Sequence, residues 1–330
     1  MHNNKKIFNE KKILVTGNSG FKGAWLTLYL NKISNAKLFG FSDKCNWSRG
    51  IFNKSNISKY AEQYWGDIKD FKKVKYVITK IKPDIIFHFA AQPIVSHGYI
   101  NAKDTYETNF NGTLNLLESI KKINKKIYVI VITSDKVYRN NIISKTLSEN
   151  SSLGGICPYS SSKACVEILA ETYSLICKDI FINTVRSGNV IGGGDWSENR
   201  IIPDIFRAYS NNKFIKIRNP NAIRPWSYVL DIVRGYVNTA ENLIEKKDKS
   251  FNSFNFSSDI PFKSVNDISK KILKILKNKI RILYDPLFLG KEAESIILSN
   301  EKAKRELGWK PIYKENDMIK STTQWYQDVI

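Results

Sequence analysis

Tyr159 and Lys163 stand four residues apart in the run Tyr-Ser-Ser-Ser-Lys. On a helix that spacing is one turn, so the ammonium of Lys163 is expected to stack near the phenol of Tyr159. A nearby cation favours phenolate. It brings a group whose ordinary pKa is about 10 toward the range in which it can take a proton from a sugar hydroxyl. A buried tyrosine and a snorkelling lysine would leave the same letters, so the weight falls on what accompanies them. Thr133-Ser134-Asp135-Lys136 lies about one structural unit upstream. Read alone it is a polar turn after a strand. Read with Tyr159 it places a hydroxyl, a carboxyl and an amine where a strand end should face a ligand cleft.

A second constellation, Lys12-Ile-Leu-Val-Thr-Gly-Asn-Ser-Gly-Phe-Lys-Gly23, reads as strand, tight turn and helix start. Gly17 lets the chain leave the strand sharply. Gly20 lets the backbone approach a pyrophosphate, and Gly23 lets the helix pack closely. The helix N-terminus then faces the phosphates. The glycine spacing is three and three, unlike the commoner dinucleotide fingerprint, and the flanking strand and helix give it meaning.

These residues need a scaffold, and the remaining pattern supplies one. Apolar runs of strand length recur at Ile13–Thr16, Lys37–Ser42, Asp84–Phe89, Ile127–Thr133 and Ile182–Arg186, with helical stretches between them. That alternation predicts βα units around a parallel sheet. Between the third and fourth runs, Asn101–Lys121 places Phe110, Leu114, Leu117 and Ile120 on one helical face, which predicts a single crossover helix. From about Gly188 the pattern turns to Gly-, Pro- and Trp-bearing loops with short helices, which marks a second lobe; Asp248–Ser258 reads as loop.

At 330 residues with 42% apolar content the chain is long enough for two lobes on one continuous core. No run reaches the length of a membrane span, and the first twelve residues lack the apolar segment of a signal peptide, so a cytoplasmic protein is expected. Cys45, Cys157, Cys165 and Cys177 have no C-x-x-C spacing, and His2, His88 and His97 form no ligand motif with them. No metal site or disulfide framework is expected, only free and mostly buried thiols. The formal charge of +21 invites a nucleic-acid reading, but the lysines are spread along the chain instead of clustered. A basic field also serves to collect a doubly negative nucleotide-sugar.

With Gly17-x-x-Gly20-x-x-Gly23, His88-Phe-Ala-Ala-Gln92 and Tyr159-x-x-x-Lys163 present in order, nearly the whole chain resembles the extended short-chain dehydrogenase/reductases that act on nucleotide-sugars. Gly20-Phe-Lys-Gly-Ala-Trp-Leu26, Ala90-Ala-Gln-Pro93, Ser134-Asp-Lys136, Gly192-Gly-Gly-Asp-Trp196 and Arg224-Pro-Trp226 narrow the resemblance to 4,6-dehydratases of CDP-linked hexoses. It implies an α/β fold: a Rossmann-type doubly wound parallel sheet with a smaller α/β substrate-binding lobe. The NAD-binding domain would span 1–187, and 188–330 would form mainly the nucleotide-sugar lobe.

The same resemblance implies NAD held by Gly17, Gly20, Phe21 and Gly23, with Asp67 and Ile68 beside the adenine and Ala90, Gln92 and Asn109 along the channel. Tyr159 and Lys163 would meet its other end. Ser42 occupies the position where an acidic residue usually holds the adenosine ribose, and Asp43 follows it. Ser96-His97 stands where related dehydratases carry a basic residue.

The implied reaction is oxidation at C4 with Tyr159 as proton acceptor and Ser134 bonded to the same oxygen. Loss of water across C5 and C6 follows, with Asp135 as acid and Lys136 as base, and then hydride return to C6. Lys163 would lower the pKa of Lys136 as a neighbouring cation. Asn189 and Arg200 would contact the nucleotide-sugar and Arg224 its diphosphate, while Trp196 and Trp226 read more readily as core than as stacking platforms. The resemblance further implies a homodimer or homotetramer through helices such as Thr105–Ile120 and Ser162–Cys177, and a place in deoxysugar synthesis for lipopolysaccharide O-antigen. A nucleotide-sugar 4-epimerase shares Tyr159, Lys163 and the cofactor turn but has no use for Asp135-Lys136. A nucleic-acid-binding descendant of the fold is favoured by charge alone.

Overall fold

Strand β1 (Lys12–Thr16) is apolar in both directions: Ile13 and Val15 enter one buried cluster and Leu14 the other. The same split recurs along the chain, with Ile85 and Phe87 on one face and Ile86 on the other, and with Ile130 and Ile132 opposite Val129 and Val131. Strands without a polar face belong inside a sheet covered on both sides. The computed structural model, which describes residues 6–44, 47–139, 146–246, 250–260, 263–277, 280–284 and 296–330, has that arrangement. His2, Cys45 and the start of the chain through residue 5 lie outside the described residues.

The sheet continues with β2 (Lys37–Ser42), β3 (Glu62–Trp65), β4 (Ile85–His88), β5 (Ile127–Ile132), β6 (Ile180–Ser187) and β7 (Asn252–Phe256). The spatial order is β3-β2-β1-β4-β5-β6-β7, and every pair is parallel. Helix α1 (Phe21–Ile33) packs on the face that holds Ile13 and Val15. On the opposite face lie α2 (Phe71–Ile81), α3 (Gly112–Lys121) and α4 (Pro158–Ile176). Helix α5 (Ile201–Ser210) belongs to the second lobe, and α6 (Val229–Lys246) returns to the first face. The order reverses between β1 and β4, and in doubly wound sheets that crevice is where ligands bind.

Three elements differ from expectation. The segment read as loop forms β7, and its Asn and Ser residues tolerate a strand because partners satisfy them: Asn255 Oδ1 accepts from the Tyr138 hydroxyl at 2.6 Å, and the Asn252 amide donates to Asn183 Oδ1 at 2.9 Å. Residues 248–249 of that segment lie outside the described residues. The edge strand β3, Glu62-Gln-Tyr-Trp65, has no buried residue and so carried no apolar signal. The expected single helix over 101–121 contains a π-helical turn, Glu107–Asn111, between Ala102–Tyr106 and α3.

The second lobe is assembled from α5, helices Val265–Leu276 and Glu315–Val329, and short strand pairs. Its aromatic centre stacks Phe206 on Tyr326 at 4.0 Å, with Trp196 edge-on at 5.3 Å. Among the described residues no helix is long and apolar enough to cross a membrane, and no group of His, Cys, Asp or Glu has metal-binding geometry. Cys157, Cys165 and Cys177 form no disulfide; Cys157 and Cys177 are buried and Cys165 is half-buried.

Candidate active site

The glycine turn forms because it must. Gly17 has φ 71°, and a Cβ there would come within 2.8 Å of the Ala90 amide nitrogen. Gly17 donates to the Phe41 carbonyl at 2.7 Å, and Gly20 is the N-cap of α1. A Cβ on Gly23 would overlap the Gly17 carbonyl, so the helix could not begin this close to the turn. Above the turn lies a cavity of about 320 Å³, lined by Gly17, Gly20, Phe21, Gly23, Phe41, Ser42, Asp43, Gly66, Ile68 and Ala90 among others. Its floor is backbone at a helix N-terminus and its walls are largely apolar. That is a cradle a Cβ would fill and a pyrophosphate fits.

Not every expected cofactor residue stands at this wall. Ser42 lines it, but its hydroxyl is spent on the turn, donating to Asn18 Oδ1 at 2.6 Å and accepting from the Ser19 amide at 3.1 Å. Asp43 lines it too, and burial raises its carboxyl. Asp67 is not among the lining residues, and its carboxylate accepts from its neighbour's amide, Lys69, at 2.8 Å. Gln92 and Asn109 are likewise struts behind the wall. Gln92 donates to Thr105 Oγ1 and to the Ile94 carbonyl. Asn109 is fully buried, accepting from the Gln92 amide at 2.8 Å and donating to Ser162 Oγ at 2.9 Å. The π-helical turn sets Asn109 in this position between the β4 exit and α4.

A second cavity of about 680 Å³ adjoins the first, and Lys22, Pro93 and Arg200 line both. Ser134, Asp135, Lys136, Tyr159, Asn189 and Arg224 all line it. Two local structures aim these groups. The turn Asp135–Val137 leaves β5 with Ser134 as its cap, and α4 opens with Pro158 at its first position behind a reciprocal Cys157–Ser160 cap, which fixes Tyr159 in the first turn. Behind them, Glu167 takes a bidentate bond from Arg186 at 2.8 Å and 2.8 Å and also accepts from Thr133 and Thr184. This buried network ties β5, β6 and α4 together directly beneath Ser134.

The Ser134 hydroxyl donates to Asp135 Oδ1 at 2.9 Å, and Lys136 Nζ lies 3.4 Å from the same oxygen. Asp135 Oδ2 is buried and, among the described residues, has no hydrogen-bond partner. A buried, unpaired carboxylate oxygen facing a cavity is a place for a ligand hydroxyl. Tyr159 is 8% exposed; burial pushes its phenol up, while a hydrogen bond with Ser134 and the charge of Arg200 pull it down.

The expected activation of Tyr159 by Lys163 takes a different form in this structure. Lys163 is 5% exposed and donates to the Ile132 carbonyl at 3.1 Å. Burial lowers its pKa to about 8 against the pull of Glu167. Its charge is felt elsewhere: after burial, it is among the causes that lower Lys22 to about 7 and His88 to about 3. Arg200, held by Asp195 at 3.3 Å, is a cation that pulls the Tyr159 phenol down.

Arg224 is 4% exposed and donates to the Ile223 carbonyl, and Asn189 borders the cavity while its carbonyl accepts from Ser227. Trp196 and Trp226 are buried and donate to the Arg49 and Lys263 carbonyls, as core residues do. His97, beside Ser96, pairs with Asp104 at 3.2 Å. Lys22, Ser187 and Asp195 border the second cavity without having been singled out from the sequence. For Lys22 the signal was available, since it lies inside the glycine turn; its Nζ reaches Ser187 Oγ at 3.5 Å and sits between the two cavities.

Residues 14–322 match the family described as GDP-mannose 4,6 dehydratase. A CDP-glucose 4,6-dehydratase of Salmonella typhimurium is 36% identical over 336 aligned residues, which cover 98% of this chain and 92% of that protein. Among solved structures, a UDP-glucose 4-epimerase of Thermotoga maritima with UDP-glucose aligns with a TM-score of 0.84 at 23% identity, over 96% of this chain and 99% of its own. A dTDP-glucose 4,6-dehydratase of Bacillus anthracis in complex with NAD gives 0.80 at 24% identity, over 96% and 97%. At such identities the two structures speak for a shared fold.

Proposed function

The chain belongs to the GDP-mannose 4,6-dehydratase family, and from that premise we propose that it is an NAD-dependent nucleotide-sugar 4,6-dehydratase whose substrate is CDP-glucose. The observation that carries the reading is the single cavity wall on which Ser134, Asp135, Lys136 and Tyr159 converge, with Asp135 Oδ2 buried and unpaired. A 4-epimerase would need only the hydroxyl and phenol of that set.

NAD fits the first cavity, where Gly17, Gly20, Phe21, Gly23, Ile68 and Ala90 would hold it, and when bound it supplies the acceptor and later the donor of a hydride beside Tyr159. Tyr159 takes the proton of the sugar C4 hydroxyl, and Ser134 bonds the same oxygen and keeps it aligned. A ketone at C4 acidifies the C5 proton. Lys136 removes that proton, and Asp135 gives one to the departing C6 hydroxyl through the carboxyl whose second oxygen has no partner among the described residues. Lys163, fixed on the Ile132 carbonyl, sets a positive charge behind the site. Arg200 and Arg224 hold the diphosphate, and Asn189 orients the sugar.

We further propose a cytoplasmic homodimer or homotetramer whose product serves deoxysugar synthesis for surface polysaccharide such as O-antigen. The exposed Ile168, Leu175 and Ile176 on α4 support assembly through that helix. The test is product analysis after incubation with CDP-, UDP- and dTDP-glucose. A 4-keto-6-deoxy product from CDP-glucose without net consumption of NAD is expected. Preference for another nucleotide would remove the CDP assignment, and a C4 epimer as product would remove the dehydratase.

A further inference from the structure

The second cavity is lined by Lys22, Lys136, Arg200 and Arg224, as suits a ligand that carries a diphosphate. Asp135, Asp195 and Asp204 interrupt this positive wall. Asp135 belongs with Ser134 and Asp195 holds Arg200. Asp204 has no part in the chemistry proposed above. It lies in the first turn of α5, one of its oxygens is paired with Arg207, and its side chain, 32% exposed, is among those that line the cavity. Among the described hydrogen bonds, its other oxygen, Oδ2, accepts none. Burial raises its carboxyl even though Arg207 and Arg218 are near. A carboxylate kept there weakens binding of any dianion, so it must repay that cost with a contact of its own.

On the reading above, Ser134 and Tyr159 meet the sugar end of the ligand, and Arg200 and Arg224 its diphosphate. The rest of the lining includes Ile202, Pro203 and Asp204 from the first turn of α5, the apolar Ile217 and Ala222, and Lys216, Arg218 and Asn219. Apolar side chains beside polar ones suit a heterocyclic base, and on the reading above it is a pyrimidine. Cytosine presents an N4 amine, a donor, at the position where uracil and thymine present the O4 acceptor. A carboxylate welcomes the first and repels the second.

We propose that Asp204 is a specificity-determining residue: its second oxygen accepts a hydrogen bond from the N4 amine of the cytosine base, and so selects a CDP-sugar over its UDP and dTDP counterparts. This rests on the nucleotide-sugar reading above and deepens it. Arg207 keeps the carboxylate in place, because it is itself anchored to the Trp196 and Ser197 carbonyls at 2.9 and 3.0 Å.

Asp204→Asn tests the idea with little disturbance, since an amide retains one oxygen for Arg207 and offers an N–H to the base. With the full chain and NAD, kcat/KM is measured for CDP-, UDP- and dTDP-glucose with both proteins. The expected result is a roughly ten- to hundred-fold loss with CDP-glucose, together with a gain for the two keto bases, so that the preference narrows or inverts. Equal losses for all three, or no change, would reduce Asp204 to a helix-terminal partner of Arg207 and overturn the proposal. Calorimetry of the unmodified protein with CDP, UDP and GDP needs no variant. Binding of CDP at least ten-fold tighter is expected, while equal affinity for CDP and UDP, or tighter GDP, would overturn it. A wild-type preference for UDP- or dTDP-glucose would instead remove the CDP assignment of the enzyme. An unchanged dehydratase product with unaltered base preference in Asp204→Asn would remove the role of Asp204 alone.

Discussion

The two adjoining cavities are built by opposite means. The first takes its shape from backbone: a turn with φ 71° at Gly17, the N-terminus of α1, and the ends of β2 and β4. The second takes its character from side chains, with Lys22, Asp135, Lys136, Tyr159, Arg200 and Arg224 drawn from positions spread over two hundred residues of chain. A backbone site tolerates change in most side chains and none in its glycines. A side-chain site is the reverse, because each group carries a separate chemical duty.

The sharpest test of this difference is Tyr159→Phe. Turnover should fall on the order of a thousand-fold, since one proton acceptor is deleted, while cofactor affinity measured by fluorescence titration stays near wild type. Loss of cofactor binding would show that the two cavities are not separable. Asp135→Asn and Lys136→Met should each slow elimination by roughly a hundred-fold and leave oxidation faster than the next step, so that reduced nicotinamide accumulates and is read by its absorbance. Wild-type dehydration in both variants would return Asp135-Lys136 to the status of a polar turn.

From the other side, Gly17→Ala should abolish most cofactor binding and lower the melting temperature by several degrees. The new methyl meets the Ala90 amide nitrogen in a backbone conformation that alanine disfavours. Arg224→Ala is expected to raise KM by about ten-fold, with a smaller drop in kcat, as the loss of a diphosphate contact should.

The smallest effect concerns Lys22 at the junction. Its pKa in the folded protein, about 7, lies below its ordinary 10.5. Between those values the unfolded chain binds more protons than the folded one, so stability contributed at this site rises as pH increases from 7 to about 10, and the full penalty applies below 7. Lys22→Met should therefore raise the melting temperature at pH 7 by roughly a few degrees and flatten its rise toward pH 10. Lys22 is only half-buried beside the cavities, which keeps the effect modest. A variant with unchanged pH dependence would place the ammonium in water.

The contrast between the cavities also explains what could be read in advance. Five strands, β1, β2, β4, β5 and β6, announce themselves because each sends apolar side chains to both faces of a covered parallel sheet, even where, as in β6, polar residues stand among them. β3 and β7 do not. One is a polar edge, and the other uses Asn and Ser whose partners, Asn183 and Tyr138, lie about seventy and more than a hundred residues away in sequence. The glycine turn was legible because its function is its local conformation. Gln92 and Asn109, expected along the cofactor channel, bond to each other across the π-helical turn, a pairing that no local spacing announces.

What the sequence alone determined is therefore the set of local commitments: a strand, turn and helix around Gly17, a helix carrying Tyr159 and Lys163 on one face, and a polar turn at Ser134-Asp135-Lys136. Each depends on interactions within a few residues, which spacing and residue type specify. Tertiary structure decided the rest. It set Lys163 on the Ile132 carbonyl and brought Arg200 to bear on Tyr159. It left Asp135 Oδ2 unpaired and lowered Lys22 through burial and the charges of Arg200 and Lys163. Those outcomes depend on burial and on charges from distant segments, and electrostatics in a low-dielectric interior is set by which groups end up within a few ångströms, not by their order along the chain.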